Sequence, residues 1–253
     1  MLKVLLSPAK SLQVESGCFR EPTVPLFEKQ AQVVVSKLKK MTPRALSQLM
    51  SISEDLAQLN WSRFQDWREL EENPNAIQPM FAFSGEVYRG LNASSFDNDS
   101  IVYAQESIRI LSGLYGILKP LDGISPYRLE MGLKFSPKSK QSNLYEFWGD
   151  QITEYMKSDL KHSDVIVNLA SKEYTRVLDF KTLSNRVITP VFKDYKNGKL
   201  KTIMVYAKKA RGSMAHYIVS NRIENLENLK GFNTDSYAFD SNLSSESEWF
   251  FIR

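Results

Sequence analysis

Polar and ionisable side chains stand just after the predicted strands of this chain. Lys10 follows the apolar run 2–6, and Asn168 and Ser171 lie at the end of the apolar run 165–169. Because ligand sites form outside the carboxyl ends of strands in open α/β sheets, these side chains are candidates for one pocket. The candidates for this pocket are Lys10, Arg128, Glu130, Asp150, Asn168, Ser171 and Glu173.

Two kinds of catalysis fit these side chains. Glu130 with Asp150 or Glu173 would form a general acid and base pair, provided that their surroundings differ enough to separate their roles. Lys10 would be a nucleophile if a dry environment deprotonated it. For each residue alone, a helix cap or an ion pair is the alternative, and only their joint placement favours a site. The catalytic candidates are Lys10, Glu130, Asn168, Ser171 and Glu173.

Positive charge is concentrated between residues 193 and 211. Seven of these residues are Lys or Arg and one, Asp194, is acidic, whereas residues 224–248 contain six acidic residues and one Lys. Surface lysines bind nucleic-acid phosphates by releasing condensed counterions, so the basic segment is a candidate phosphate-binding surface. A solvated hairpin without a ligand is the alternative.

Two shorter motifs also suit a phosphate. Lys208, Lys209 and Arg211 are predicted to converge at a strand-to-helix junction, where free backbone N–H groups favour an anion. Gly113 and Gly116 lie in a tight turn after a predicted helix, and helix-hairpin-helix modules hold a phosphate with such a turn. Because the two glycines are three residues apart rather than two, a helix C-cap with an ordinary connector is the alternative.

Composition narrows the class of protein. The 253 residues are 42% hydrophobic and 25% charged with a net charge of +4, as in ordinary globular proteins. The single cysteine, Cys18, excludes an intrachain disulfide, and with only two histidines a zinc cage is excluded as well. We predict no metal and no cofactor. Without an apolar run long enough for a membrane span, we expect a cytoplasmic protein with no membrane contact and no obligate protein partner.

Strands and helices alternate irregularly along the chain, which predicts one α+β domain over residues 1–253. Apolar runs at 2–6, 80–83 and 165–169 predict buried strands. Asn197-Gly198 predicts a hairpin between strands near 187–195 and 200–206. Other elements are predicted as helices over 26–38 and 101–111, as helices capped by Thr42 and Ser53, and as a two-stranded ribbon of 237–239 with 249–252.

The same segments resemble the YaaA family of peroxide-stress proteins. The matching stretches are LLSPAK at 5–10, AFSGEVYRGL at 82–91, LSGLYGILKPLDGISPYRLEMG at 111–132, LYEFWGD at 144–150, VNLASKEY at 167–174, KNG at 196–198 with AKKARG at 207–212, and GF at 231–232. The resemblance extends from residue 1 to about 240, and the 22-residue stretch 111–132 is its most specific part. His216 and Ser236 depart from it, since the family pattern has arginine and glycine there.

This resemblance implies a single-domain mixed α/β fold with a central mixed sheet, a basic cleft and a helix-hairpin-helix-like element. It also implies binding of double-stranded DNA without sequence preference, and protection against oxidative damage with lowered free iron as a linked effect. Carried over by position, the phosphate-binding residues are Lys10, Gly113, Gly116, Arg128, Lys208, Lys209 and Arg211.

A second function stays open beside DNA binding. The pocket of Lys10, Glu130 and Asn168 is richer in ionisable groups than a passive DNA clamp needs, which favours an enzyme acting on a nucleobase, a nucleoside or damaged nucleic acid. Direct iron storage is disfavoured, because the chain lacks a histidine-rich or cysteine-rich site and the acids do not cluster in sequence.

Overall fold

The computed structural model of the chain describes residues 1–14 and 20–253, so Cys18 lies outside the described residues. The strands are β1 (Leu2–Leu6), β2 (Ser11–Leu12), β3 (Phe83–Ser84), β4 (Ile108–Ser112), β5 (Gly116–Leu118), β6 (Val165–Asn168), β7 (Val187–Lys196), β8 (Lys199–Lys201), β9 (Ala238–Asp240) and β10 (Glu248–Ile252). The α-helices are α1 (Glu28–Leu38), α2 (Pro43–Met50), α3 (Glu54–Asp66), α4 (Pro79–Ala82), α5 (Glu86–Leu91), α6 (Asn98–Ser107), α7 (Leu144–Trp148), α8 (Gln151–Asp159), α9 (Lys172–Thr175) and α10 (Met204–Ser220).

One mixed sheet runs through the molecule. Its strand order is β5-β4-β1-β6-β7-β10-β9, with β8 paired to β7. The strands β4, β1, β6, β7 and β10 are mutually parallel, whereas β5, β8 and β9 are antiparallel to their neighbours. Helices pack around the sheet, and the buried side chains from Leu2 to Phe251 form one apolar cluster. The predicted mixed α/β architecture with a mixed sheet is confirmed.

The two strands at the centre of the sheet are β1 and β6. Every residue of β1 is buried, and β6 pairs with it in parallel, with Leu5 opposite Asn168. Strands covered on both faces carry continuous apolar runs rather than alternating ones, which is why 2–6 and 165–169 were recognisable in the sequence. This register places the loops that follow both strands, beginning at Ser7 and Leu169, at the same edge of the sheet.

One predicted element is wrong in type, and another is right over only part of its length. Residues 79–82 form α4 rather than a strand, since Pro79 occupies the first helical position, where proline is favoured. The helix predicted over 101–111 ends at Ser107, and the fully buried strand β4 follows. β-Branched residues such as Ile108 and Ile110 fit a buried strand, and their apolar spacing does not distinguish it from a helix.

The helix-hairpin-helix predicted at Gly113 and Gly116 is therefore wrong, because a β-hairpin stands there. Strands β4 and β5 pair in antiparallel fashion, with Ser112 opposite Gly116. A Cβ on Gly113 would overlap the Leu129 carbonyl oxygen, and one on Gly116 would lie 2.8 Å from the Trp148 ring. All residues of this turn are buried. The glycines allow close packing, and their backbone is not exposed to a phosphate.

The Asn-Gly hairpin is confirmed with a shorter second strand than predicted. Strands β7 and β8 pair from Asp194 opposite Lys201 to Lys196 opposite Lys199. The predicted strand 200–206 stops at Lys201, and α10 begins at Met204. The caps at Thr42 and Ser53 and the pairing of β9 with β10 are confirmed as well.

A buried carboxyl group in the loop after β5 makes stability depend on pH. Burial raises the pKa of Asp122 from its usual 3.8 to about 6, against hydrogen bonds donated by Thr23 Oγ1 (2.6 Å) and the Lys119 N–H (2.8 Å). The folded state thus holds this proton more tightly than the unfolded chain does. The stability it contributes is complete below pH 3.8 and is lost as the pH rises through about 6.

We expect the free energy of unfolding of the wild type, minus that of Asp122→Asn, to fall by about 2.4 kcal/mol between pH 4 and pH 7. Urea unfolding of both proteins across this range measures the difference. Asp122→Asn removes only the titration of Asp122, so the contributions of other acidic groups to the pH dependence cancel when the two free energies of unfolding are subtracted. A difference that does not change with pH would contradict the raised pKa.

Candidate functional site

Three of the predicted pocket residues form one ionic cluster above the central strands. Glu130 Oε1 accepts from Arg128 Nη2 at 2.9 Å and Nε at 3.2 Å, and Lys10 Nζ lies 3.2 Å from the same oxygen. The Glu130 side chain is 10% exposed and that of Lys10 is 65% exposed. Two cations therefore compensate a buried carboxylate, and one of them stays open to solvent.

The second oxygen of Glu130 is in a different situation. Glu130 Oε2 is buried and has no hydrogen-bond partner in the part of the chain that the structure describes. A buried acceptor without a donor costs about 1–3 kcal/mol. Such an atom at the edge of a sheet is a position where a bound ligand or a water molecule would donate a hydrogen bond.

The ends of β1 and β6 are joined by their serines. The Ser171 N–H donates to Ser7 Oγ at 2.9 Å, and the two hydroxyls are 3.3 Å apart. Asn168 lies at the end of β6, where its Oδ1 accepts from the Ala170 N–H at 3.1 Å and its Nδ2 is 3.4 Å from Thr189 Oγ1. Ser171 stands at the N-cap position of α9, but its side chain caps no N–H.

Helix α9 is tied to the segment that carries Glu130. The Gly132 N–H donates to Glu173 Oε1 at 3.1 Å, and Tyr145 Oη donates to the Glu173 carbonyl at 2.8 Å. Burial, and then the charges of neighbours that include Glu130, raise the pKa of Tyr174, so its hydroxyl stays protonated. Glu173 is therefore a positioning residue for this segment.

The predicted acid–base pair is not assembled. Glu173 accepts a hydrogen bond from Gly132, and Asp150 is exposed at the start of α8. Neither carboxyl makes a hydrogen bond with Glu130 in the described part of the chain. Lys10 is exposed and paired with Glu130, which is not the dry environment that a lysine nucleophile needs. Among the described residues of this set, Glu130 is the one whose carboxylate has a buried oxygen without a hydrogen-bond partner.

Sequence reasoning missed two residues that support this cluster. Ser7 holds Ser171, and Tyr88 Oη donates to the Ser7 carbonyl at 3.1 Å, which anchors the loop leading to Lys10. Ser7-Pro8 stands directly after a buried strand and three residues before Lys10, and this spacing is the signal that could have identified Ser7. No sequence signal singles out Tyr88.

The basic hairpin presents most of its lysines to solvent. Lys196, Lys199 and Lys201 are exposed and lie on one face of the β7–β8 hairpin, because cross-strand partners share a face. The one acid of this segment, Asp194, is buried and accepts from Arg253 Nε at 2.6 Å and from Tyr237 Oη at 3.2 Å. Asp194 is thus neutralised inside the protein and leaves the exposed charge uncompensated.

The three cations predicted at a strand-to-helix junction lie inside α10 instead. Lys208 is exposed, Lys209 Nζ pairs with Asp235 Oδ2 at 3.0 Å, and Arg211 is half-buried. Burial lowers the pKa of Arg211, which has no ion pair among the described residues. They begin one turn into the helix, past its free N–H groups, and no recorded contact joins them to the cluster of Lys10, Arg128 and Glu130.

Residues 1–14 and 20–253 contain neither a cluster of metal ligands nor a membrane-spanning helix. No three His, Cys, Asp or Glu side chains of this part of the chain are grouped as metal ligands. No helix in these ranges is both long enough and apolar enough to cross a bilayer.

Known proteins identify the family. The family model described as "Peroxide stress protein YaaA" matches residues 2–243. A UPF0246 protein of Flavobacterium johnsoniae is 47% identical over 253 residues, covering 100% of both chains. UPF0246 proteins of Hahella chejuensis and Burkholderia mallei are 45% and 44% identical, each alignment covering 99% of this chain and 98% of the relative. The chain belongs to the peroxide stress protein YaaA family.

Proposed function

We propose that this member of the peroxide-stress family acts in the cytoplasm by binding double-stranded DNA. The lysines of the β7–β8 hairpin and the first turns of α10 would hold the phosphate backbone with little preference for sequence. We include in this proposal a lowering of free iron, as an indirect effect of the protein. The proposal treats residues 1–253 as one functional domain.

Exposed lysines without ionic partners are the observation that carries this proposal. Lys196, Lys199, Lys201 and Lys208 are exposed, and none of them has an ion pair in the described part of the chain. Exposed lysines elsewhere include paired ones, such as Lys29 with Glu69 at 2.6 Å, and ones without an ion pair in the described ranges, such as Lys37. The hairpin differs in placing several unpaired lysines on one face. A set of unpaired cations within one hairpin and the following helix is a surface that releases condensed counterions when it meets a nucleic acid.

Replacing these four lysines by alanine is expected to weaken duplex binding at least about tenfold at 50 mM salt. The slope of log K against log salt should also become shallower by about 3 to 4, since each phosphate contact contributes about 0.9. Fluorescence anisotropy with a labelled duplex at several salt concentrations measures both quantities.

The matched control removes four exposed lysines from other surfaces. Lys37→Ala, Lys40→Ala, Lys161→Ala and Lys181→Ala change the net charge equally and should leave most of the salt dependence intact. If the control variant weakened DNA binding as much as the hairpin variant, binding would depend only on net charge, which would contradict a defined DNA-binding surface. An absence of binding at low salt would contradict the proposal outright.

An enzyme acting on a nucleobase, a nucleoside or damaged nucleic acid is the second candidate. The observation that favours it is Glu130, whose Oε2 is buried without a partner beside Lys10. A surface that only clamps DNA has no use for a buried carboxylate with a free acceptor. Gly113 and Gly116, in contrast, are not part of either proposal, because their turn is buried.

A further inference from the structure

The two oxygens of Glu130 have unequal hydrogen bonding. Oε1 faces three donor nitrogens, two from Arg128 and one from Lys10, all within 3.2 Å. Oε2 has none in the described part of the chain, although the residue is only 8% exposed. Because the nearby cations hold the other oxygen, a hydrogen bond to Oε2 needs an O–H or N–H donor from outside the described residues.

The position of Glu130 in the fold limits what that partner is. Strands β1 and β6 are neighbours in the sheet. The next strand of this sheet after β1 is β4, which lies on the side of β1 away from β6, and the next strand after β6 is β7, which lies on the side of β6 away from β1. The carboxyl ends of β1 and β6 thus form the switch point of the sheet. Lys10 follows β1, and Glu173 follows β6 and binds the segment of Glu130 at Gly132. At such switch points a carboxylate accepts hydrogen bonds from the ribose hydroxyls of a nucleotide.

Lys10 supplies the complementary charge. Its ammonium lies next to Glu130 but is 65% exposed, so it has donors left for an anion that approaches from solvent. A phosphorylated sugar offers both a hydroxyl donor for Glu130 Oε2 and an anion for Lys10. Nucleotides carry both groups, and they are the ligands that the switch points of open α/β sheets bind.

We propose that the site at the ends of β1 and β6 binds a ribonucleotide, with a ribose hydroxyl donating to Glu130 Oε2 and the phosphate lying against Lys10. The proposal rests on the second candidate function and names the class of small molecule that these residues would bind. It is separate from the lysine surface of the hairpin, which would hold DNA through phosphates alone.

Isothermal titration with adenosine 5′-monophosphate, its 2′,3′-dideoxy analogue and inorganic phosphate tests the proposal. The wild type should bind the ribonucleotide at least about tenfold more tightly than the dideoxy analogue, which lacks both hydroxyl donors. Glu130→Gln should show a clearly smaller preference for the ribonucleotide, because a neutral amide N–H donating to a ribose hydroxyl is a weaker hydrogen bond than a hydroxyl donating to a carboxylate. Lys10→Ala, a change at an exposed position, should weaken binding of both nucleotides and of phosphate.

Glu154→Gln, at an exposed ion pair on α8, is the control and should leave all affinities unchanged. Equal affinity of the wild type for ribonucleotide and dideoxy analogue, or an undiminished preference in Glu130→Gln, would overturn the proposal. Phosphate binding as tight as nucleotide binding would also overturn it. Ribonucleotide binding without turnover would support the site while contradicting the enzyme, so the two ideas fail separately.

Discussion

Gly212→Ala is expected to lower the free energy of unfolding by more than about 3 kcal/mol, or to prevent folding, although it places a better helix former inside α10. Helix propensity alone favours alanine over glycine by about 1 kcal/mol. The contact between α10 and α5 opposes this gain. A Cβ on Gly212 would overlap the Val87 carbonyl oxygen and would lie 2.8 Å from Leu91 N, and both are backbone atoms that no rotamer change can move.

The same contact is built from glycine on both sides. A Cβ on Gly90 of α5 would overlap the Lys209 carbonyl oxygen and would lie 2.8 Å from Ser213 N. Gly90→Ala should therefore destabilise the protein to a similar extent. The double variant should cost less than the two single costs added together, because helices already pushed apart by one methyl group have room for the other.

Thermal and urea unfolding of the purified variants measure these effects. Gly132→Ala is the matched control, since its Cβ would lie 3.3 Å from Glu173 Oε1, the end of an exposed side chain that can move aside. It should change the free energy of unfolding by less than about 1 kcal/mol. A Gly212→Ala protein as stable as the wild type would show that α5 and α10 do not pack this closely.

The centre of the sheet could be predicted from the sequence because its signals are local. Strands β1 and β6 are unbroken apolar runs, and Asn197-Gly198 specifies its hairpin through backbone conformations that few other residues adopt. Strand β4 is predicted as part of a helix, because apolar residues at 108, 110 and 111 fit a helix face as well as a buried strand. Only its pairing with β1 and β5 decides between the two, and that pairing is not encoded nearby in the sequence.

The site was predictable in residue type but not in arrangement. Lys10 and Glu130 are 120 positions apart, and nothing local indicates that both meet Arg128 on one carboxylate oxygen. The helix-hairpin-helix prediction at 113–116 is wrong for a related reason, since glycine occurs both in phosphate-binding turns and in tightly packed turns. Burial against Trp148 and Leu129 distinguishes the two uses, and burial follows from tertiary packing.

Asp159→Asn is the substitution outside the glycine contact for which we expect the largest loss of stability, about 3–5 kcal/mol. Asp159 compensates two cations beneath the sheet. Its carboxylate accepts from Arg109 Nε at 2.9 Å and Nη2 at 2.8 Å, and from Lys3 Nζ at 3.3 Å. The Arg109 side chain is 1% exposed, so a neutral amide at position 159 would leave a fully buried guanidinium without its counter-charge.

The ionisation of this cluster supports the same expectation. Burial acts to raise the pKa of Asp159, but the hydrogen bonds and charges of Arg109 and Lys3 outweigh it and hold the pKa below its usual 3.8. The stability that depends on this carboxylate is therefore present at neutral pH and is lost as the pH falls through the lowered pKa. Asp159→Asn should remove it at every pH.

Urea unfolding at pH 7 measures the loss, and two comparisons show its origin. Glu154→Gln removes one partner of an exposed pair with Lys157 on the same helix and should cost less than about 1 kcal/mol. Replacing all three cluster residues together, as Lys3→Met, Arg109→Met and Asp159→Leu, should cost less than Asp159→Asn alone, because it removes the buried charges instead of stranding them. If the triple variant were less stable than Asp159→Asn, the attraction between the three charged groups would itself stabilise the fold. The penalty of an uncompensated guanidinium would then not be the dominant effect. Equal small losses for Asp159→Asn and Glu154→Gln would instead mean that water reaches Arg109 and solvates it.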